Sequence, residues 1–156
     1  MARFKISPGL DNYTEKLQDL QLRTRNELIG KAIYEGAGIV ADTIRSGISG
    51  LKESPDVHKG VTPIQKQGLA DGLGISRLKD ESGFINVKIG FNGYNGHVNP
   101  KYPKGQANAL VARSLEKGTS TAPAQRFVSS AVRRAEAAAE NAMKEVVESG
   151  IEKIMS

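Results

Sequence analysis

Cysteine and tryptophan are absent from this chain, and aromatic side chains are few, with 4 tyrosines and 4 phenylalanines among 156 residues. Without cysteine the chain can form neither a disulfide bond nor a thiolate metal site, which fits a reducing compartment. No apolar run approaches the ~18 residues that a membrane span needs, and residues 1–10 lack the apolar centre of a signal peptide. We therefore expect a protein that is made and kept in the cytoplasm.

Charge of one sign is not concentrated anywhere along the chain. The 22 basic and 17 acidic residues give a net charge of +5, and the longest basic cluster is Arg133-Arg134. A dedicated nucleic-acid module groups lysine and arginine on one surface, with aromatic side chains among them. The composition therefore does not favour such a module.

The residues that are present suit one small domain with an aliphatic core. A chain of 156 residues is long enough to bury a core of its own, so we expect residues 1–156 to form a single domain. Because only 5% of the residues are aromatic, alanine, isoleucine, leucine and valine are expected to fill that core. The 17 glycines favour long loops that become ordered against partners.

Apolar residues at spacings of three and four predict a long helix over residues 26–48. Its glycines are expected to mark the close approach of another backbone, because glycine otherwise weakens a helix. Before it, the sequence predicts a short helix over residues 11–22 and an edge strand over residues 3–7. The apolar face of the long helix contains Ile29, Ile33, Ala37, Val40, Ile44 and Ile48, and its glycines are Gly30, Gly36 and Gly38.

A β-hairpin is predicted over residues 73–91. Residues 73–78 and 84–91 are the expected strands, because apolar residues from Ile85 to Phe91 alternate with polar or small ones. Residues 79–83, Lys-Asp-Glu-Ser-Gly, are expected to form the turn.

Two exposed loops are predicted at residues 50–68 and 92–105, because both stretches lack periodicity and contain glycine and proline. The second loop is also rich in asparagine, and we expect that the core does not need it. The second loop contains two tyrosines together with histidine and lysine. Such a set could stack on bases and neutralise phosphate. Tyrosines are also frequent anchors of protein interfaces, and we favour that interpretation. The residues concerned are Tyr94, His97, Lys101, Tyr102 and Lys104.

Two further helices are predicted in the last third of the chain. Residues 106–116 form the first, which ends at Gly118 in the conformation that glycine favours after a helix. Residues 124–155 form the second and longest. Its expected apolar face contains Phe127, Ala131, Ala135, Ala138, Ala142, Val146, Ile151 and Ile154, opposite a charged face with Glu136, Glu140, Lys144 and Glu148.

These elements predict an α+β fold in which helices 26–48 and 124–155 pack on one face of a small antiparallel sheet. Apolar positions that face each other in this arrangement should form the core. The expected core residues are Ile29, Ile33, Val40, Ile44, Ile85, Val87, Ile89, Phe127, Ala131 and Ala135.

No pattern in the sequence indicates a catalytic, cofactor or metal site. Residues 36–41, GAGIVA, match a dinucleotide fingerprint, but they lie inside a predicted helix, where their amides cannot face a pyrophosphate. His58 and His97 have no further ligands at zinc spacing, so we expect solvated loop side chains. No serine or threonine lies in a nucleophile elbow, although a triad assembled in space stays open.

Residues 110–131, LVARSLEKGTSTAPAQRFVSSA, resemble a family signature. They are similar to the YA-x-x-x-E-x-GTS…PAQPF-x-x-PA block of the neck or tail-completion proteins of long-tailed bacteriophages, the gene-ten-product-like family of head–tail joining components. Residues 68–75, GLADGLGI, resemble that family's TG-x-L-x-x-S-I entry into a β-hairpin. The two blocks stand in the family's order, and with the helical flanks the resemblance covers roughly the whole chain.

The resemblance implies a non-enzymatic structural protein of the virion, without a cofactor. Such a protein forms a ring of copies of itself in the neck and joins the head connector to the tail. The implied partners are a head-side connector or stopper protein and a tail terminator or tail-tube protein, with non-specific contact to DNA in the lumen. A small basic nucleic-acid-binding protein is the alternative.

For a ring of this kind we expect protein contacts at two places, the loop at residues 92–105 and the segment that begins near the end of helix 106–116. The expected interface residues are Tyr94, His97, Tyr102, Leu110, Leu115, Glu116, Gly118, Thr119, Gln125 and Phe127.

Overall fold

A computed structural model describes residues 8–56 and 58–155 of the chain. Within this part four helices and four short strands follow one another, and the predicted α+β class is confirmed. The predicted edge strand over residues 3–7 lies outside the described residues. The helices are α1 (Pro8–Ser49), α2 (Pro63–Gly72), α3 (Asn108–Lys117) and α4 (Phe127–Met155), and the strands are β1 (Leu73–Ile75), β2 (Lys79–Glu81), β3 (Phe84–Asn86) and β4 (Ile89–Phe91).

Helix α1 is one continuous element of 42 residues, so the prediction of separate helices over residues 11–22 and 26–48 was wrong. Residues 23–25, Arg-Thr-Arg, contain neither proline nor glycine, and arginine is a good helix former, so nothing there interrupts the hydrogen bonding. None of the helices in the described part of the chain combines the length and apolarity that a membrane span requires.

Helices α1 and α4 pack side by side and run antiparallel. Gly47 lies against Phe127 near one end of the pair, and Gly36 lies against Met143 farther along. At Gly36 a Cβ atom would meet the Met143 Cγ at 2.8 Å. The glycine therefore admits a side chain rather than the neighbouring backbone that the sequence predicted. The other two glycines do not meet a backbone either, because Gly30 faces the Leu78 side chain and Gly38 has nothing within 4 Å.

The buried face of α4 repeats every four residues and contains Phe127, Ala131, Ala135 and Ala139. The predicted face instead continued through Ala138, which is exposed, and through Ile151 and Ile154, which are 49% and 60% exposed. A four-residue row forms a ridge that fits the groove of a neighbouring helix, so α4 follows this row along α1.

The hairpin has a tighter turn than the sequence predicted. Strands β1 and β4 pair antiparallel next to the core, and β2 and β3 pair antiparallel beyond them. The turn consists of Ser82 and Gly83, with φ angles of 55° and 85°. Two residues with positive φ connect strands whose twist they match. Residues 79–81 therefore belong to β2 rather than to the turn, despite their charge.

A bulge separates the two halves of the hairpin, because residues 76–78 lie opposite only residues 87–88. The Ser76 Oγ accepts a hydrogen bond from the Lys88 amide at 2.8 Å. The Tyr34 hydroxyl of α1 accepts from the Leu78 amide at 2.8 Å and donates to the Ser76 carbonyl at 3.4 Å. Side chains thus replace the missing ladder bonds and tie the hairpin to α1.

The predicted loop over residues 50–68 was too long, since α2 begins at Pro63. Thr62 and Gln65 form a reciprocal capping box, in which each side chain accepts a hydrogen bond from the backbone amide of the other. Proline at the first helical position loses no hydrogen bond, so Pro63 marks a helix start rather than a loop. The remaining loop is not fully exposed, because Leu51 and Val61 are buried.

The core lies where the end of α1, the start of α4, α2, α3 and the inner strands meet. Three predicted core residues, Ile44, Phe127 and Ala131, are buried there, and a fourth, Ala135, is buried farther along α4. The other six predicted residues, Ile29, Ile33, Val40, Ile85, Val87 and Ile89, are only partly buried. Further core residues come from segments that were predicted as a loop or as the entry to the hairpin, namely Leu51, Val61, Leu69 and Leu73. Helix α3 adds Val111 and Ala112 to the core.

Candidate interaction groove

A groove with a volume of about 610 Å³ lies over one side of α3, and we call it the α3 groove. Three segments distant in sequence form its walls, residues 58–60, residues 97–106 and residues 119–125. It is lined by His58, Gly60, Gln65, His97, Asn99, Lys101, Tyr102, Gln106, Leu110, Val111, Ser114, Leu115, Thr119, Ser120, Thr121, Ala122, Pro123 and Gln125.

The loop over residues 92–105 is held at its base by a buried amide network. Asn95 is 6% exposed, and its Oδ1 accepts hydrogen bonds from the amides of His97 at 2.9 Å and Gln106 at 3.2 Å. The Gln106 Oε1 in turn accepts from the Gln65 Nε2 at 2.7 Å. The expectation that the core does not need this loop was therefore wrong for the two ends of the loop. Removing them would leave buried polar groups without hydrogen-bond partners.

Glycines in the block over residues 68–75 let this base approach α2 closely. A Cβ at Gly68 would meet the Asn108 Oδ1 and the Asn95 Cβ, each at 2.6 Å. A Cβ at Gly72 would meet the Asn108 Nδ2 at 2.7 Å. Asn108 is 2% exposed and donates from Nδ2 to the Asn92 carbonyl at 2.9 Å. Gly68 and Gly72 therefore have a packing role beneath the loop, whereas a Cβ at Gly74 would meet nothing within 4 Å.

The corner between α3 and α4 is a closed turn. Gly118 has the positive φ that was predicted, 77°, but its ψ angle of 170° lies outside the left-handed helical region that was expected there. A Cβ at Gly118 would meet the Ala124 nitrogen at 2.7 Å. The Thr119 amide donates to the Ala122 carbonyl at 2.9 Å, and the Thr119 Oγ1 accepts from the Ala122 amide at 3.1 Å. The corner thus forms a fixed wall of the α3 groove.

Glu116 caps the start of α4 across this corner. Its carboxylate accepts hydrogen bonds from the amides of Val128 at 3.0 Å and Ser129 at 3.1 Å, and from the Ser129 hydroxyl. Amides in the first turn of a helix lack intrahelical partners and attract negative charge. This intramolecular role accounts for a glutamate at this position, while its predicted role in an interface stays a prediction.

Six of the ten predicted interface residues line the α3 groove, namely His97, Tyr102, Leu110, Leu115, Thr119 and Gln125. Tyr94 lies outside the lining and is 66% exposed. Phe127 is 6% exposed and packs against Phe91, with 6.0 Å between the ring centroids. Glu116 and Gly118 hold the corner. The structure therefore brings the loop and the corner together at one place.

The formal charge of the α3 groove comes from a lysine. Lys101 is part of its lining, with its Nζ 5.5 Å from the centroid of the Tyr102 ring, and the polar rings of His58 and His97 lie in the same lining. No Asp or Glu is among the described residues that line it. Apolar side chains of α3 form part of the floor, and Leu110 among them is 47% exposed. The groove is therefore suited to an apolar group with a negative charge beside it.

Sequence reasoning did not place the segment around His58 in this site. Nothing local in residues 58–60 indicates that they approach α3, and only the folded chain brings them there. Within residues 8–56 and 58–155, no three His, Asp or Glu side chains converge as metal ligands would. No protein-family model matches this chain, and neither a curated protein nor a solved structure gives a match.

Proposed function

We propose that this chain is a structural protein of a bacteriophage neck, which forms a ring that joins the head connector to the tail. The observation that carries the proposal is that the two family-like blocks pack next to each other at the α3 groove. Residues between 110 and 125 form the floor and the corner of the groove, and Gly68 of the other block packs against Asn95, at the base of the loop that forms another wall. Two short resemblances that are separate in sequence thus belong to one built feature.

A ring protein needs side surfaces for its own copies and different faces for the rings above and below. The α1–α4 pair offers an elongated surface with exposed apolar residues, separate from the α3 groove. The α3 groove lies at the end of α1, where the Lys52 amide donates to the Gln125 Oε1 at 3.0 Å. This division supports a role in which the chain contacts its copies, a head-side connector or stopper protein, and a tail terminator or tail-tube protein. The exposed apolar residues of the pair include Leu22, Val132, Ile151 and Ile154.

The proposal is tested by electron microscopy of particles from a phage that encodes this chain. Deleting the gene should leave DNA-filled heads and separate tails, and supplying the chain from a plasmid should restore joined particles. Joined, infectious particles in the absence of the chain would remove the neck assignment.

A small basic nucleic-acid-binding protein is the second candidate, favoured by Lys101 and Tyr102 together in the α3 groove. Because the charge of the chain is scattered, few phosphates could be neutralised at once, and affinity for DNA should fall away at physiological salt. Fluorescence anisotropy with labelled duplex and single-stranded DNA distinguishes the two functions. Nanomolar, sequence-specific binding at moderate salt would support this candidate against the neck protein.

A further inference from the structure

The β2–β3 turn forms an exposed tip, residues 79–84, at the outer end of the hairpin. All residues of this tip are exposed, and Phe84 is 70% exposed. Covering a phenylalanine ring removes roughly 150–250 Å² from water, and aromatic side chains are frequent anchors of interfaces. An aromatic ring at the end of a projecting turn is therefore a candidate contact in an assembly.

The register of the tip places a carboxylate beside this ring. Glu81 and Phe84 are directly paired across the two strands, so their side chains share one face. Asp80 and Ile85 are the neighbouring pair and share the other face, where Ile85 is partly buried as β3 packs near α1. The outward face of the tip thus presents the Phe84 ring with the Glu81 carboxylate directly opposite it, and Lys79 lies on the same face one pair farther from the turn.

The α3 groove has the complementary set of groups. Leu110, at its floor, is 47% exposed and can cover an aromatic ring. Lys101 can face a carboxylate, and no acidic side chain among the described lining residues would oppose one. Matching of charge across a contact fixes its register and suppresses wrong partners.

The tip and the α3 groove lie at different places along α1. The hairpin packs near the middle of α1, at Gly30 and Tyr34, whereas the groove residue Gln125 bonds to Lys52, just beyond the end of α1. At 1.5 Å per residue, residues 30–49 span roughly 28 Å, and no residue of the tip is among the described residues that line the groove of its own chain. A contact between two different surfaces of successive copies is a head-to-tail contact, which closes into a ring when the rotation allows.

We propose that the tip of one copy docks in the α3 groove of the next copy, with Phe84 against Leu110 and the Glu81 carboxylate facing Lys101. This inference rests on the proposed ring function and names the contact that builds the ring. Because the two surfaces differ, each copy gives its tip to one neighbour and receives the tip of the other.

Charge reversal tests the contact in the purified full chain. Sedimentation velocity at low ionic strength, up to millimolar concentration, should show association that Glu81→Lys or Lys101→Glu each weakens about tenfold or more. A chain with both substitutions should associate again, because its reversed tip matches its reversed groove. Matched controls are Glu136→Lys and Lys144→Glu on the exposed face of α4, which should associate like the unchanged chain.

Mixing the two single variants is a further test of the charge pairing. The tip of each variant matches the groove of the other in charge, whereas neither variant matches itself. The mixture should therefore associate about as well as the unchanged chain, although each variant alone does not. Circular dichroism melts of all variants should coincide, since Glu81 and Lys101 are exposed in the monomer.

Several results would overturn the docking inference. If the unchanged chain stays monomeric at millimolar concentration, it has no such contact. If neither charge reversal weakens association, the copies associate through another surface. Neither of these two results contradicts the neck function. If Lys101→Glu alone prevents head–tail joining in the phage while Glu81→Lys does not, the α3 groove receives a neighbouring protein instead. The double charge reversal could instead restore association while deletion of the gene still gives normal particles. That combination would contradict the neck function and support the contact between copies.

Discussion

Single residues in this chain show how close packing and capping decide local structure. The glycines are the clearest case, because three that looked alike in the sequence have different surroundings. Gly30 faces a leucine side chain, Gly36 faces Met143, and Gly38 faces open space. Helix propensity alone treats all three as weak points of α1. Only the neighbouring elements distinguish a glycine that permits contact from one that merely weakens the helix.

Substituting alanine for two helical glycines should change stability in opposite directions. Gly68→Ala places a Cβ 2.6 Å from both the Asn95 Cβ and the Asn108 Oδ1, and this overpacking should lower the free energy of unfolding by about 1–3 kcal/mol. Gly38→Ala meets no atom within 4 Å and should raise it by up to ~1 kcal/mol. Urea denaturation measures both. Equal effects at the two positions would contradict the described packing beneath the loop.

Removing the carboxylate that caps α4 should also weaken the fold. Glu116→Ala leaves the Val128 and Ser129 amides without their acceptor, and we expect a loss of about 1–2 kcal/mol in the free energy of unfolding. Glu136→Ala, on the exposed face of α4, is the matched control and should stay within about 0.5 kcal/mol. If both variants unfold at the same urea concentration, Glu116 does not cap the helix in solution.

Phe127 and Phe84 provide a matched pair of buried and exposed rings. Phe127→Ala removes a ring that is 6% exposed and packs on Phe91, so it should cost about 3–5 kcal/mol. Phe84→Ala removes a ring that is 70% exposed and should cost less than about 0.5 kcal/mol in the monomer. Thermal melts at low protein concentration compare the two. A negligible shift for Phe127→Ala would refute its burial.

At the scale of elements, periodicity in the sequence predicted the positions of α1, α3, α4 and the hairpin. The ends of these elements were predicted less well from local residue types. The α2 helix was not predicted, because Pro63 was interpreted as a loop residue. Thr62 and Gln65, on either side of Pro63, form a capping box that marks the start of this helix. The turn was predicted over residues 79–83, but its charged residues 79–81 form strand β2. In β2 they form an exposed tip, where charge is compatible with pairing.

The bulge in the hairpin depends on a side chain from α1, which gives a test at this scale. Tyr34→Phe removes the hydroxyl that accepts from the Leu78 amide and donates to the Ser76 carbonyl. Hydrogen exchange at the Leu78 amide should accelerate by about fivefold, equivalent to roughly 1 kcal/mol for one hydrogen bond. The Asn92 amide, bonded to the Gly72 carbonyl, serves as the control. Unchanged exchange at Leu78 would show that the hairpin does not need this anchor.

At the scale of the whole molecule, the α3 groove combines segments that no local pattern connects. The sequence predicted contacts at the loop over residues 92–105 and at the corner after Glu116, and six of those residues share the groove. It could not predict that residues 58–60 complete the wall, nor that Asn95 and Asn108 anchor the loop in the core. These features depend on non-local packing, which periodicity does not encode.

Cryo-electron microscopy of mature particles from a phage that encodes this chain tests the proposed function most directly. Density for a closed ring of copies, with α1 and α4 resolvable as an antiparallel pair, should lie between the head connector and the tail. Absence of the chain from the particle, or its density elsewhere in the virion, would contradict its assignment to the neck.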